Sequence, residues 1–237
     1  VILDPADPVL PQAYRRSLEA MSPFPTAMLW KVPSINGVTG LPLARRSMLD
    51  PVFLTETIGT ETNRPGLRLM DILGVRYISV DGLFPTPGLH LHWQDKSQSL
   101  FIMKNDYAKP RFQIYWNAEV VNTPEQALAG LKAAQSEKIF IEKYRGEHLT
   151  LPTGCATCAE TKPAIEVIES QAMRYRVNVN MPREGWLFLA DANYPGWEST
   201  VNGKVQPVYS AQVLGKAVRL QAGRNEVTIR YVPWSFY

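Results

Sequence analysis

The residues best suited to chemistry lie in a short aromatic turn near the C-terminus, Tyr194-Pro195-Gly196-Trp197. Tyr194 and Trp197 could stack on the apolar face of a sugar ring, because aromatic side chains combine a broad apolar surface with a polar handle. Asp191 and Asn193, just upstream, could hydrogen-bond the sugar hydroxyls. The same string also fits a structural role, in which Pro-Gly makes a tight turn and Trp197 packs into a core. Both interpretations stay open.

The two cysteines of the chain, Cys155 and Cys158, form a Cys-X-X-Cys pair. Their surroundings are loop-like, whereas a redox pair normally opens a helix after a strand. We consider a loop disulfide or an idle thiol pair, an adventitious metal site, and a redox site. A structural zinc site usually takes four ligands, and His148 is the only further candidate nearby. We therefore predict no resident metal and no cofactor, and we retain the disulfide as one interpretation.

Two histidines, His90 and His92, lie two residues apart in the sequence. Alternate residues of a strand face the same side, so this spacing is compatible with a metal ion. Asp95 is near, but the sequence positions no third ligand. A polar strand face explains the pair better.

Sequence motifs of enzymes are missing from this chain. It contains neither the G-x-S-x-G elbow of hydrolases nor a glycine-rich phosphate-binding loop. Several glutamates raise the alternative of a glycosidase carboxylate pair, although carboxylates on strands are usually solvated. These are Glu166, Glu169, Glu184 and Glu198. These patterns therefore favour neither a serine hydrolase nor a nucleotide-dependent enzyme.

The composition excludes further classes of protein. There are 25 Lys and Arg against 22 Asp and Glu, and the net charge of +3 is too small for the cationic field of a nucleic-acid binder. Apolar residues make up 45% of the chain, as in ordinary globular proteins. The longest apolar runs, such as Trp186–Ala190, fall far short of the ~20 residues of a membrane helix. The chain starts with Val1 and lacks a signal-peptide pattern, so we expect a piece of a longer protein.

The elements that position these residues fall into three predicted segments. Residues 1–145 are predicted to form an irregular α+β domain, with short helices at Pro11–Met21 and Ala44–Phe53 and then a small α/β unit. Residues 146–163 read as a linker loop. Residues 164–237 contain about seven short strands separated by turns, which is typical of an antiparallel β-sandwich of jelly-roll-like type. The predicted fold class is α+β.

Two local signals are strong. Thr123-Pro124-Glu125-Gln126 combines a helix N-cap, a proline at the first helical position and a glutamine that can complete a capping box, so a helix is predicted over about 123–136. Asn202-Gly203, after the predicted strand Trp197–Val201, indicates a tight β-hairpin.

Several C-terminal strings together resemble a known family. They are Gly185–Asp191, Tyr194–Trp197, Val201–Gly203, Ala217–Gly223 and Val227–Trp234. The set resembles the C-terminal extracytoplasmic domain of the YfhO family of bacterial membrane proteins. Weaker matches extend the resemblance over most of residues 34–237.

The resemblance implies a context for the chain. YfhO proteins are similar to multi-spanning glycosyltransferases of the GT-C type, which use polyprenyl-phosphate sugars and keep their catalytic carboxylate in the membrane half. We therefore expect a non-catalytic domain on the periplasmic or outer face of the bacterial inner membrane. Its expected partners are the membrane portion of its own polypeptide and a cell-envelope glycan or lipid-linked polymer, not nucleic acid. The alternative is a structural or protein-interaction domain that packs on the membrane portion and has no ligand.

Overall fold

A computed structural model describes residues 65–80, 86–95, 100–133, 138–143, 149 and 163–232. The predicted helices Pro11–Met21 and Ala44–Phe53 lie outside these ranges. So does nearly all of the predicted linker 146–163, and the division into three segments therefore stays a prediction. The chain forms two compact units, Val1–Pro110 and Arg111–Tyr237.

The described part of the first unit is a helix followed by a small antiparallel sheet. Helix α1 (Pro65–Ile72) is followed by Gly74, whose φ of 71° is the left-handed conformation that glycine adopts readily at a helix end. The sheet has the strand order β1-β3-β2, with β1 (Tyr77–Val80), β2 (Leu89–Asp95) and β3 (Leu100–Asn105). The buried Asn105 amide donates to Asp71 Oδ1 at 2.7 Å and to the Val75 carbonyl at 3.0 Å, which ties the sheet to the end of the helix.

The described residues of the second unit form eleven strands in two sheets. These strands are β4 (Phe112–Tyr115), β5 (Ala118–Val121), β6 (Ile139–Glu142), β7 (Ala164–Gln171), β8 (Arg174–Met181), β9 (Gly185–Leu189), β10 (Trp197–Val201), β11 (Lys204–Gln206), β12 (Tyr209–Ala211), β13 (Gly215–Leu220) and β14 (Gly223–Tyr231). One sheet has five strands in the order β11-β10-β14-β8-β7, and the other has six in the order β4-β9-β13-β12-β6-β5. Val177 of β8 and Val218 of β13 belong to one buried cluster, so the two sheets pack face to face.

Helix α2 (Pro124–Ala133) joins β5 to β6, and these two strands pair in a parallel arrangement. The capping signal is confirmed: Thr123 Oγ1 accepts the Gln126 N–H at 3.3 Å, and Gln126 Oε1 accepts the Asn122 N–H at 2.8 Å. The predicted small α/β unit is thus present around this helix. However, β6 also pairs with β12, where Ile141 faces Ala211, so the unit is continuous with the six-stranded sheet.

The predicted α+β class with a helical N-terminal part is wrong, since the structure is mostly β. The described residues contain two helices against fourteen strands. The physical reason is that the backbone N–H and C=O groups of a short strand need hydrogen-bond partners. The short strands β4 and β6 find these partners in β9 and β12, so they become part of the six-stranded sheet. The sequence pattern indicates the strands but not their partners.

The predicted hairpin at Asn202-Gly203 is confirmed. Both residues have positive φ, 51° and 77°, as a tight primed turn between antiparallel strands requires. The turn joins β10 to β11, which pair in an antiparallel register.

We expect Gly130→Ala in α2 to destabilise the chain, although alanine normally stabilises a helix interior by about 1 kcal/mol relative to glycine. A Cβ at this position would lie 2.3 Å from the ring of Phe140. That ring is only 1% exposed and is held in a close-packed interior. Overpacking of this kind typically costs ~1–3 kcal/mol. Urea unfolding of the variant measures the loss.

The matched control is the same substitution in a Phe140→Leu background. The smaller side chain leaves room for the new methyl group, so Gly130→Ala should there be neutral or stabilising. Equal destabilisation in both backgrounds would show that the ring contact is not the cause.

Candidate functional site

A buried lysine lies at the centre of the candidate site. Lys216 is in β13, in the same inward phase as the core residues Val218 and Leu220. Strand alternation therefore places its ammonium group among apolar side chains, where it is fully buried. Because a buried charge is costly unless it is paired, the partners of Lys216 define the site.

Two oxygen atoms and an aromatic ring contact the ammonium group. Lys216 Nζ donates to Asp191 Oδ2 at 2.8 Å and to the Ala192 carbonyl at 2.9 Å. It also lies 3.6 Å from the centre of the Trp197 ring, which is a close cation–π contact. Asp191 directly follows β9 and, like Leu187 and Leu189, lies on the side of the strand that faces the core. The neighbouring strands β9 and β13 therefore bring the ion pair together.

A second cation shares the same carboxylate. Tyr175 OH donates to Asp191 Oδ2 at 3.0 Å and accepts a hydrogen bond from Arg111 Nη2 at 2.7 Å. Arg111 Nη2 also lies 3.6 Å from Asp191 Oδ1. We call Arg111, Tyr175, Asp191 and Lys216 the Asp191 cluster. In it, two cations and one phenol converge on a single carboxylate.

Burial sets the protonation of this cluster. Burial, with a smaller contribution from the Arg111 charge, lowers the pKa of Lys216 to about 8, although the charge and hydrogen bond of Asp191 act in the opposite direction. Burial, and to a smaller extent the negative charge of Asp191, raises the pKa of Tyr175. This phenol therefore stays a neutral hydrogen-bond donor. Burial likewise raises the pKa of Tyr194.

Trp197, one of the predicted sugar-binding residues, forms part of the core. It is 8% exposed. Its ring stacks on Tyr175 with a centroid distance of 5.9 Å and also contacts Tyr231 at 5.5 Å and Tyr194 at 5.9 Å. With Lys216 against the same indole, a sugar ring could stack on Trp197 only by displacing core side chains.

The other three predicted residues form a half-buried rim beside this indole. Asn193 Nδ2 donates to Ser210 Oγ at 2.8 Å, and the Tyr194 ring meets Tyr231 at 4.9 Å. Asp191 remains 26% exposed despite its ion pairs. We call Asp191, Asn193 and Tyr194 the rim. The structure therefore brings the predicted residues together, with Trp197 below and the rim within reach of solvent.

Sequence reasoning missed three members of the Asp191 cluster as site residues. Lys216 did carry a signal, because a lysine in phase with Val218 and Leu220 is a charge on a core face. Tyr175 alternates with Arg174 and Arg176 along its strand, which indicates the buried face that it occupies, but the partner of its hydroxyl could not be inferred. Arg111 gave no signal, because nothing in its local sequence points to Asp191.

The two histidines have separate partners. His90 Nε2 lies 2.9 Å from Asp106 Oδ2, whereas the His92 ring packs against Tyr77 at 5.0 Å. A register shift in β2 between Leu91 and Trp93 interrupts the alternation that would have placed both imidazoles on one face. Within the described residues, His, Cys, Asp and Glu side chains do not gather in threes as metal ligands would.

Each of the four candidate glutamates has a polar partner of its own. The pairs are Glu166 with Asn178, Glu169 with Arg174, Glu184 with Arg219, and Glu198 with Arg230. These contacts fit structural roles on the sheet surface. Cys155 and Cys158 lie outside the described residues, so their disulfide stays a prediction.

Comparison with known proteins bears on the C-terminal part of the chain. Residues 144–237 match the family model described as bacterial membrane protein YfhO, which confirms the suspected resemblance over this segment. The segment is thus similar to a family of bacterial membrane proteins. Neither the curated proteins nor the solved structures yielded a match. In the described ranges, no helix has both the length and the apolar character needed to span a bilayer.

We expect Lys216 to make the stability of the chain rise with pH. Its pKa is lowered from 10.5 to about 8 in the folded chain, so between these values the unfolded chain holds a proton that the folded chain has released. The free energy of unfolding then increases with pH, by about 2 kcal/mol between pH 7 and pH 9.5. Below the lower pKa both states are protonated, and this contribution is constant. Urea titrations at the two pH values measure the rise.

Two variants isolate this effect. Lys216→Met keeps much of the volume without the charge and should lose the rise, whereas Lys204→Met removes an exposed lysine of β11 and should keep it. Measurements stay below pH 10 because the raised pKa of Tyr175 gives the opposite slope above it. Equal rises in all three proteins would rule out Lys216 as the source.

Proposed function

We propose that the chain is a non-catalytic, extracytoplasmic domain of a glycosyltransferase-like bacterial membrane protein, and that it handles a cell-envelope glycan. The YfhO match over residues 144–237 supports the membrane-protein context. The observation that carries the proposal is the half-buried rim, which lies beside the buried Lys216–Asp191 ion pair and the Trp197 ring.

The non-catalytic role is supported by the state of the reactive groups. Lys216 and Asp191 are the types of residue that catalyse proton transfer or nucleophilic attack. However, Lys216 is fully buried, and its ammonium group is occupied by two oxygens and an aromatic ring. Tyr175 is held neutral between Arg111 and Asp191. A catalytic group must reach its substrate, so these residues are better suited to hold the fold.

The glycan role is supported by the rim. Tyr194 offers a partly exposed aromatic ring, and the exposed part of Asp191 and the free capacity of the Asn193 amide suit sugar hydroxyls. Tyr231 and Ser210 hold two of these side chains in place. A site fixed before binding loses less conformational entropy when a ligand arrives. In this proposal Trp197 supports the rim from below and does not itself stack on the sugar.

A second candidate function is packing on the membrane portion of its own polypeptide. Exposed apolar side chains lie at both edges of the five-stranded sheet, with Val205 82% exposed on β11 and Met173 63% exposed beside β7. Val167 and Ile168 add to the β7 edge. Exposed apolar residues on a sheet edge are typical of surfaces that pair with another chain or segment.

We expect Tyr194→Ala to weaken glycan binding about tenfold or more while leaving the chain folded, because the ring lies on the rim and outside the deepest core. A glycan array that includes bacterial envelope polymers identifies the ligand, and titration of the hits measures the loss. Tyr107→Ala, which removes an exposed tyrosine of the first unit, is the control and should bind normally. Absence of binding by a folded, monodisperse wild-type chain would contradict the glycan role and favour the packing role.

We expect the domain to face the outside of the cytoplasmic membrane. In the parent gene, with Cys155 and Cys158 replaced by serine, Val205→Cys places a thiol at the most exposed apolar position described. A membrane-impermeant maleimide should label this thiol in intact bacteria, while a cytoplasmic control thiol reacts only after lysis. Labelling of Val205→Cys only after lysis would contradict the extracytoplasmic location.

A further inference from the structure

The charges of the Asp191 cluster do not balance. The two ionic groups that act on the Lys216 ammonium are a carboxylate, Asp191, and a second cation, Arg111. The bridging Tyr175 is neutral and contributes no compensating charge. At neutral pH the cluster therefore carries an excess of one positive charge.

This excess charge reaches solvent through Arg111. Lys216 is fully buried and its N–H groups are engaged, whereas the Arg111 side chain is 26% exposed. One of its terminal nitrogens bonds to Tyr175. Its Nε is buried and has no partner among the described residues. Since Nε is buried, an oxyanion from solvent would have to bond the terminal guanidinium nitrogens, whose parallel N–H groups can match two oxygens at once.

Arg111 and the rim meet at one residue. Asp191 pairs with Arg111 on one side, and on the other it belongs to the loop that carries Asn193 and Tyr194. Its charge also acts on the Tyr194 hydroxyl, which places that ring near the cluster. A ligand that contacts the rim therefore has a cation beside it.

We infer that Arg111 is a binding site for a carboxylate or phosphate group, and that the glycan contacted by the rim is an acidic one. This inference rests on the function proposed above and adds the chemical class of the ligand. The Asp191 carboxylate orients Arg111 and limits the excess to a single positive charge, so the site suits one oxyanion group on a sugar and not a run of neutral hydroxyls.

The test compares an acidic sugar with its neutral counterpart on the 237-residue chain. Glucuronate and glucose are titrated by NMR or calorimetry at constant ionic strength. The wild-type chain should bind glucuronate at least tenfold more tightly than glucose. Arg111→Gln should remove this preference, and Arg111→Lys, which keeps the charge but loses the fork, should reduce it several-fold. Equal affinity for the two sugars in the wild type, or a preference that survives in Arg111→Gln, would overturn the inference.

The matched control is Arg176→Gln, which removes an arginine paired with Glu226 on the exposed surface of β8 and should keep the preference. If Arg111→Gln does not fold, the Arg111→Lys result decides, and an unchanged preference there counts against the inference. Loss of preference in both Arg176→Gln and Arg111→Gln would indicate a general effect of net charge, which also overturns it.

Two further probes separate the sources of the oxyanion. Inorganic phosphate that binds in an Arg111-dependent way supports the site and points to a phosphate ester. Phosphate binding that persists in Arg111→Gln would be an adventitious ion only. Binding restricted to phosphatidylglycerol vesicles, and absent with phosphatidylcholine and with both soluble anions, would place the anion on a lipid and overturn the glycan assignment. Glycan binding without any preference for acid would overturn this inference alone and leave the proposed function standing.

Discussion

The second unit is organised around one constraint, the placement of a lysine ammonium group between two β-sheets. Removing a charge from water costs several kcal/mol, and the attraction of its partner recovers this only when the geometry is good. Lys216 is matched by Asp191 on the adjacent strand end and by the Trp197 ring from the opposite sheet. A slip of one residue between β9 and β13 would turn Lys216 away from both. The ion pair therefore specifies the register of these strands more than it adds to their stability.

The loop between β9 and β10 depends on the same pair. Asp191 anchors its start, and the Asn193 N–H, which donates to the Leu214 carbonyl, fixes its middle. Near its end, Gly196 has a φ of 105°, and a Cβ there would lie 2.7 Å from the Tyr231 ring. Glycine is thus required by both conformation and space. The Pro-Gly string seen in the sequence makes a tight turn, as the structural interpretation held, and this turn holds the rim residues in place.

Local signals in the sequence predicted local structure well. The N-cap at Thr123 and the turn at Asn202-Gly203 are where expected, because each depends on chemistry within a few residues. Predictions that needed a distant partner failed. The many β-forming residues of Arg111–Val121 predict one strand, but the segment divides into β4 and β5, which pair with β9 and β6 respectively. Neighbouring parts of one β-forming segment thus pair with different strands.

The same limit applies to the candidate site. Asp191, Asn193, Tyr194 and Trp197 could be identified because they lie close together in the sequence. Lys216 is detectable only as a charge on a core face, and the roles of Arg111 and Tyr175 could not be predicted. These residues come from three separate strand regions, and only folding brings them to one carboxylate. The burial of Trp197, one of the two interpretations of the aromatic turn, depends on Tyr175 and Tyr231, which lie on β8 and β14.

The pairing of β4 with β9 and of β6 with β12 determines which residues the folded second unit must include. The region that matches the membrane-protein family begins at residue 144, yet β4, β5 and β6 all precede it. A chain cut at that point would leave the backbone edges of β9 and β12 open to water and to association with other chains. The segment recognised by its sequence is therefore smaller than the segment that folds. Because these contacts join residues far apart in the chain, the six-stranded sheet cannot close until its last strands have been synthesised.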